Sequence, residues 1–159
     1  MRVTKNMQAF LDMIAHSEIG PIMLAMPETD NGYRVIVGST PKKLILMDNY
    51  VTHPQLYQKS MNSDAAGRYQ FMGRYWPFYR RQLGLLDFGP ESQDKWARQL
   101  IRECGATQAV EEGRFPLAVE LCKSRWASFP GAGYSQPEHS LASLQDAYTK
   151  AGGTLMEVA

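Results

Sequence analysis

The chain has 159 residues, enough for one domain with a sizeable core or two small lobes around a cleft. Its 17 basic and 16 acidic residues leave a net charge of +1, so nothing in the charge balance calls for nucleic acid as a partner. Its 2 cysteines exclude a disulfide scaffold, and its 3 histidines are too scattered to read as metal ligands.

Thr4 is placed to cap a first helix over about residues 5–18. Met7, Leu11, Ile14 and Glu18 fall on one stripe of it, so the carboxylate of Glu18 shares a face with three apolar side chains. A carboxyl at the edge of an apolar face is poorly solvated, and desolvation raises its pKa. An acid that holds its proton near neutral pH is what glycosidic bond cleavage requires of its general acid. The alternative for Glu18 is a helix end that frays into water.

Upstream of the helix there is no apolar run with a small-residue cleavage site, so no signal peptide is expected. No stretch approaches the ~18 apolar residues of a membrane span. The expectation is a protein made in the cytoplasm, without stable membrane association.

Pro27 to Gly32 is turn chemistry, and Tyr33 to Val37 is rich in β-formers. Leu44 to Met47 is expected to return as a second strand, giving a small antiparallel sheet between residues 32 and 50. Residues 48–66 are irregular, and so long a loop is uncommon unless it serves a site. From about Gly67 the chain is expected to be helical to its end.

Pro77 falls in the first turn of a helix that starts near Arg74. Pro90 opens the next helix, with Ala97, Leu100, Ile101 and Cys104 as its core face and Gly105 as its stop. A short helix near 106–112 follows, then one lined by Phe115, Ala118, Cys122 and Trp126. Residues 128–137 are too rich in Gly and Pro for a helix, and Leu141, Leu144 and Tyr148 mark the last one. Arg68, Arg74, Arg80 and Arg81 read as a solvated basic face. Both cysteines read as buried free thiols without a nearby activating charge.

Three further features carry chemistry. Ala66-Gly67-Arg68-Tyr69-Gln70 offers a hydroxyl and an amide of the kind that bind sugar hydroxyls and N-acetyl groups. Tyr134, in the Gly/Pro-rich loop, could stack on a sugar face. Glu28, Asp30, Asp48 and Asp64 are candidates for a second carboxylate, but none has a spacing that sets it opposite Glu18. Hydrolysing glycosidases use a pair ~5–5.5 Å or ~6.5–9.5 Å apart.

Ser17-Glu18, Tyr33 to Gly38, His53-Pro54, Ala65 to Gln70, Leu83-Gly84-Leu85, Asp87-Phe88, Ser92-Gln93-Asp94 and Trp126 to Gly131 occur in this order. Together they resemble the bacteriophage lambda endolysin family, lysozyme-like lytic transglycosylases, from about Phe10 to Gly153. The resemblance implies an α+β, lysozyme-like fold as a single catalytic domain over residues 1–159. A small antiparallel β lobe (about 27–50) and a larger helical lobe (about 67–153) would flank a substrate cleft.

It implies cleavage of the β-1,4 bond between N-acetylmuramic acid and N-acetylglucosamine in peptidoglycan. Glu18 would be the catalytic acid, and Arg68, Tyr69, Gln70 and Tyr134 would bind substrate, with no metal and no cofactor. The expected partners are peptidoglycan glycan strands, met by a monomer that leaves the host cytoplasm through a holin-type pore. One departure is local: the family has glycine directly after the glutamate, whereas here Ile19 precedes Gly20. A hydrolysing muramidase with Asp30 or another acid activating water, or a glycan-binding module without catalysis, are the alternatives.

Overall fold

The computed structural model describes residues 2–157, which fall into two units. One combines the residues up to Ser17 with those from Arg98 onward, and the other is Glu18–Ala97. Residues 27–50 and 67–97 both lie in the second of these units. Seven helices are named below: α1 Lys5–Glu18, α2 Pro21–Leu24, α3 Trp76–Leu83, α4 Pro90–Glu103, α5 Thr107–Glu111, α6 Phe115–Cys122 and α7 Leu141–Lys150. None of them is long and apolar enough to cross a membrane.

The first unit is built on helices. Thr4 Oγ1 accepts from the Met7 amide at 3.1 Å, the cap expected of it. The buried stripe of α1 includes Phe10, whose ring meets Phe115 edge-on at 6.1 Å, and Phe115 in turn packs on Tyr148 at 4.8 Å. Beyond α7, Gly153 lies so close under the Tyr148 ring that a Cβ there would come within 2.4 Å of it. Thr154 then bonds the side chain of Asn6 at 3.0 Å. Trp126 is buried as expected, but it lies beyond the end of α6 rather than in it.

The second unit has little regular structure. The expected sheet is absent as such: among the described residues, β pairing occurs only as isolated antiparallel bridges, Val35 with Leu46 and Ile36 with Ala66 among them. The reason is local. Asp30, Asn31 and Gly32 all have positive φ, and the Tyr33 and Val35 amides go into turn bonds with Asp30 and Gly32. Further on, Ser39 Oγ bonds the carbonyls of Ile36 and Ile45 and accepts from the Ile45 amide, so a side chain stands where a ladder bond would be.

The third segment of this ribbon was not expected. Val37 donates to Ala65 and Gly67 donates to Val35, at 2.9 and 2.8 Å. Residues 67–72 are accordingly turn and bridge, not helix, because they double back so that Ala66 pairs with Phe71. Helical structure starts at Gly73 with a 3-10 turn that runs into α3, with Pro77 in its first turn. The core of this unit is aromatic: Phe71 stacks on Trp96 at 4.0 Å, and Trp76, Tyr79 and Phe88 surround the pair.

Candidate active site

Glu18 is the last residue of α1 and is half-buried, neither core nor free in water. The residue on each side of it is fixed. Ser17 is buried, its hydroxyl hydrogen-bonded to that of Ser128 at 2.6 Å, and its carbonyl lies 3.1 Å from Nε2 of His139. Ile19 is 6% exposed and packs on Gly32, where a Cβ would come within 3.5 Å of Ile19 Cγ1 and 3.4 Å of Arg68 Cγ. Within Glu18–Ala97, then, the neighbour of Glu18 and the side chain of Arg68 meet at one glycine.

Arg68 and Tyr69 are 4% and 0% exposed. Arg68 Nε donates to the Asn31 carbonyl at 3.0 Å and its Nη1 to the Tyr69 hydroxyl at 3.0 Å. The Tyr69 hydroxyl donates to Asp94 Oδ1 at 2.6 Å, and Tyr33 donates to the same oxygen at 2.8 Å. Burial, and then the Asp94 charge, push the Tyr33 phenol up to about 12. Burial also raises Tyr69 well above an ordinary phenol, against the opposing pull of Arg68. Both phenols stay protonated donors.

These positions correct one expectation. Arg68 is not part of a solvated face, although Arg74, Arg80 and Arg81 are exposed. Gln70 is half-buried with φ 54°, and its amide donates to the Gly67 carbonyl at 2.9 Å, closing the turn on which it sits.

Gln93 and Asp94, in the first turns of α4, organise this turn from a distance. Gln93 is fully buried, accepts from the Arg68 amide at 2.9 Å, and donates to the Phe88 and Tyr33 carbonyls at 2.8 and 3.1 Å. It leaves no room at Gly67, where a Cβ would come within 2.4 Å of its Oε1. The only sequence signal for the two residues was their place in the Ser92-Gln93-Asp94 run.

Tyr134 lies in the other unit. Its ring is 52% exposed while its hydroxyl donates to the Ser124 carbonyl at 2.7 Å. Its loop is stapled by Glu138, whose carboxylate accepts from the Gly131 and Gly133 amides at 2.9 and 3.2 Å. Those two bonds hold the Glu138 carboxyl below its ordinary pKa. Among the described residues no group of three or more His, Cys, Asp or Glu is placed to hold a metal ion.

Of the other acids, Asp30 accepts from Tyr50 at 2.6 Å and Asp64 from the Gly73 amide at 3.1 Å, so both have structural work.

The family model described as Endolysin matches residues 8–155. The chain is 41% identical over 161 residues to the endolysin of Escherichia phage lambda, covering 99% of this chain and 98% of that protein. It is 44% identical over 158 residues to the endolysin of Escherichia phage P2, covering 94% of each. A solved structure of bacteriophage lambda lysozyme in complex with a chitohexasaccharide superposes with a TM-score of 0.85 at 40% identity, over 98% of this chain and 99% of that one. A second structure of lysozyme from bacteriophage lambda gives a TM-score of 0.82. At that identity and coverage the fold is lysozyme-like.

Proposed function

The chain belongs to the Endolysin family, and from that membership we propose that it lyses the bacterial wall by cutting the β-1,4 bond between N-acetylmuramic acid and N-acetylglucosamine in peptidoglycan. The observation that carries this is Glu18, a half-buried carboxyl at the end of α1 with both chain neighbours held. The chitohexasaccharide bound by the lambda lysozyme supports a glycan strand as the substrate.

In the proposed mechanism Glu18 is the only carboxyl that moves a proton. It donates to the glycosidic oxygen as the C1–O bond breaks, and the leaving sugar departs with a new hydroxyl. The C6 hydroxyl of the muramyl residue attacks its own C1 and gives its proton to the Glu18 carboxylate. The product is a 1,6-anhydro sugar, no water is consumed, and Glu18 ends protonated as it began. Attack within one sugar gains from proximity, so no second carboxylate is needed to activate water. The structural engagements of Asp30 and Asp64 support a single-carboxyl site.

Arg68, Tyr69 and Gln70 form part of the substrate-binding site, and the open ring of Tyr134 offers a stacking face for a sugar. The protein acts as a monomer, made in the host cytoplasm and released to the wall through a holin-type pore.

Glu18→Gln removes the proton while keeping the shape. Its turbidity-clearing rate on chloroform-treated Gram-negative cells is expected to fall by ~10²–10⁴-fold with the melting temperature unchanged. Retention of most of that rate excludes Glu18 as the acid. Mass spectrometry of the released muropeptides separates the chemistries: anhydro ends support the mechanism, and reducing ends carrying labelled oxygen from water establish hydrolysis instead.

A further inference from the structure

Glu18 stands where a helix is least able to hold a side chain still. The last four carbonyls of a helix have no partner within it, and an end without outside partners frays. For Ser17 the sequence makes this certain: one more helical turn would bring the amide of residue 21 to its carbonyl, but residue 21 is proline and has no N–H. Both polar groups of Ser17 are instead taken up from far along the chain. Its carbonyl accepts from His139 Nε2 at 3.1 Å, and its hydroxyl shares a hydrogen bond with that of Ser128 at 2.6 Å. A carbonyl only accepts, so Nε2 carries the imidazole proton.

The Ser128 hydroxyl is itself held in place. Ser128 lies between Trp126 and Phe129, which are both buried, with ring centroids 5.7 Å apart. The Phe129 amide donates to the Trp126 carbonyl at 3.0 Å and fixes the turn that contains Ser128. The Ser128 carbonyl accepts from the His139 amide at 2.8 Å, so the residues between them form a closed loop. The His139 ring meets α1 a second time, its centroid 6.2 Å from that of His16. Ser128 and His139 are thus the two sides of one neck, and the neck grips the end of α1.

We infer that Ser128 is a positioning residue for the reaction: through the Ser17 hydroxyl it keeps the last turn of α1 from fraying and sets the backbone from which the Glu18 carboxyl reaches the glycosidic oxygen. The inference rests on the reading of Glu18 as the acid. Ser128 moves no proton and touches no substrate in this role. Its effect is on distance, and proton transfer is effective only within hydrogen-bond reach of the accepting oxygen.

The test is to measure rates on purified peptidoglycan sacculi over a range of concentrations, well below the melting temperature. Ser128→Ala is expected to lower kcat about tenfold with KM unchanged. Ser17→Ala removes the other side of the same bond and should give the same loss, which carries the test if Ser128→Ala fails to fold. The double variant should lose no more than either single one. Introduced into Glu18→Gln, Ser128→Ala should lower the residual rate no further, because no acid remains to be placed; a merely structural role lowers both backgrounds alike. The proposal is overturned if both single variants keep the wild-type kcat, if the loss falls on KM, or if Ser128→Ala costs the same factor with and without the Glu18 carboxyl. A full rate in Glu18→Gln removes the acid and this proposal with it, whereas an inactive Glu18→Gln beside a fully active Ser128→Ala removes this proposal alone.

Discussion

Two ways of holding a chain together meet in this molecule. The residues from Arg98 onward, with α1, rely on helices that fold apolar stripes over one another, and most of their polar groups are satisfied within each helix. Glu18–Ala97 has few helices and no continuous sheet, and it depends on long-range side-chain bonds: Gln93 to three backbone groups, Arg68 to Asn31, and Tyr33 and Tyr69 to Asp94. An apolar face tolerates exchange of like for like, whereas a buried polar network loses a full desolvation penalty for each partner removed. The second region should therefore be sensitive to single atoms and the first to volume.

Volume gives the largest expected effect. Phe115→Ala removes a ring that touches both Phe10 and Tyr148, and should cost about 3–5 kcal/mol in urea unfolding. A cost near zero would break the contrast from its helical side. Next is Gly67→Ala, one methyl group placed against Gln93 at φ +88°, expected to cost about 3 kcal/mol. If alanine is accepted there with an unchanged urea midpoint, the Gln93 anchor is not rigid.

Tyr69→Phe deletes a single oxygen, leaving Asp94 with the Tyr33 bond and Arg68 Nη1 without that acceptor, and should cost ~1–2 kcal/mol. Removing the exposed Lys150 partner of Asp146, by contrast, should barely move the urea midpoint, because solvent screens the pair.

The smallest predicted effect is a pH dependence. His53 is buried, its Nδ1 accepts from the Gln55 amide at 3.0 Å, and its other nitrogen lies 2.7 Å from the Phe71 carbonyl. Since a carbonyl only accepts, Nε2 carries the proton and the ring is neutral. Burial is the first cause lowering its pKa below 6.5, so the unfolded chain binds the proton more readily. Stability is then fully present above pH 6.5 and declines as pH falls below it. Urea midpoints measured from pH 6.5 to 5 should fall in wild type and fall less in His53→Gln; equal slopes would remove His53 from the account.

What the sequence made legible was local. Thr4, Pro77, Pro90 and Gly105 act on backbone within one turn of themselves, and each does what its chemistry demands. The setting of Glu18 on α1 could be read because its three apolar companions are on the same helix. The β-rich run from Tyr33 was misread because strand preference says nothing about Ser39, whose hydroxyl occupies a place in the ladder. The burial of Arg68 and Tyr69 depends on Gln93 and Asp94, 25 residues further on, a separation no periodicity encodes.

The bonds to Ser17 carry a consequence for the order of events in synthesis. The end of α1 leaves the ribosome well before the hydroxyl and the imidazole that fix it, which belong to Ser128 and His139. Until those residues have emerged, the helix can form but its last turn has nothing to lock against. Ser17 thus gains its hydroxyl partner only after 111 further residues have been added, and a ribosome that stalls before then releases a fragment in which α1 ends without that bond.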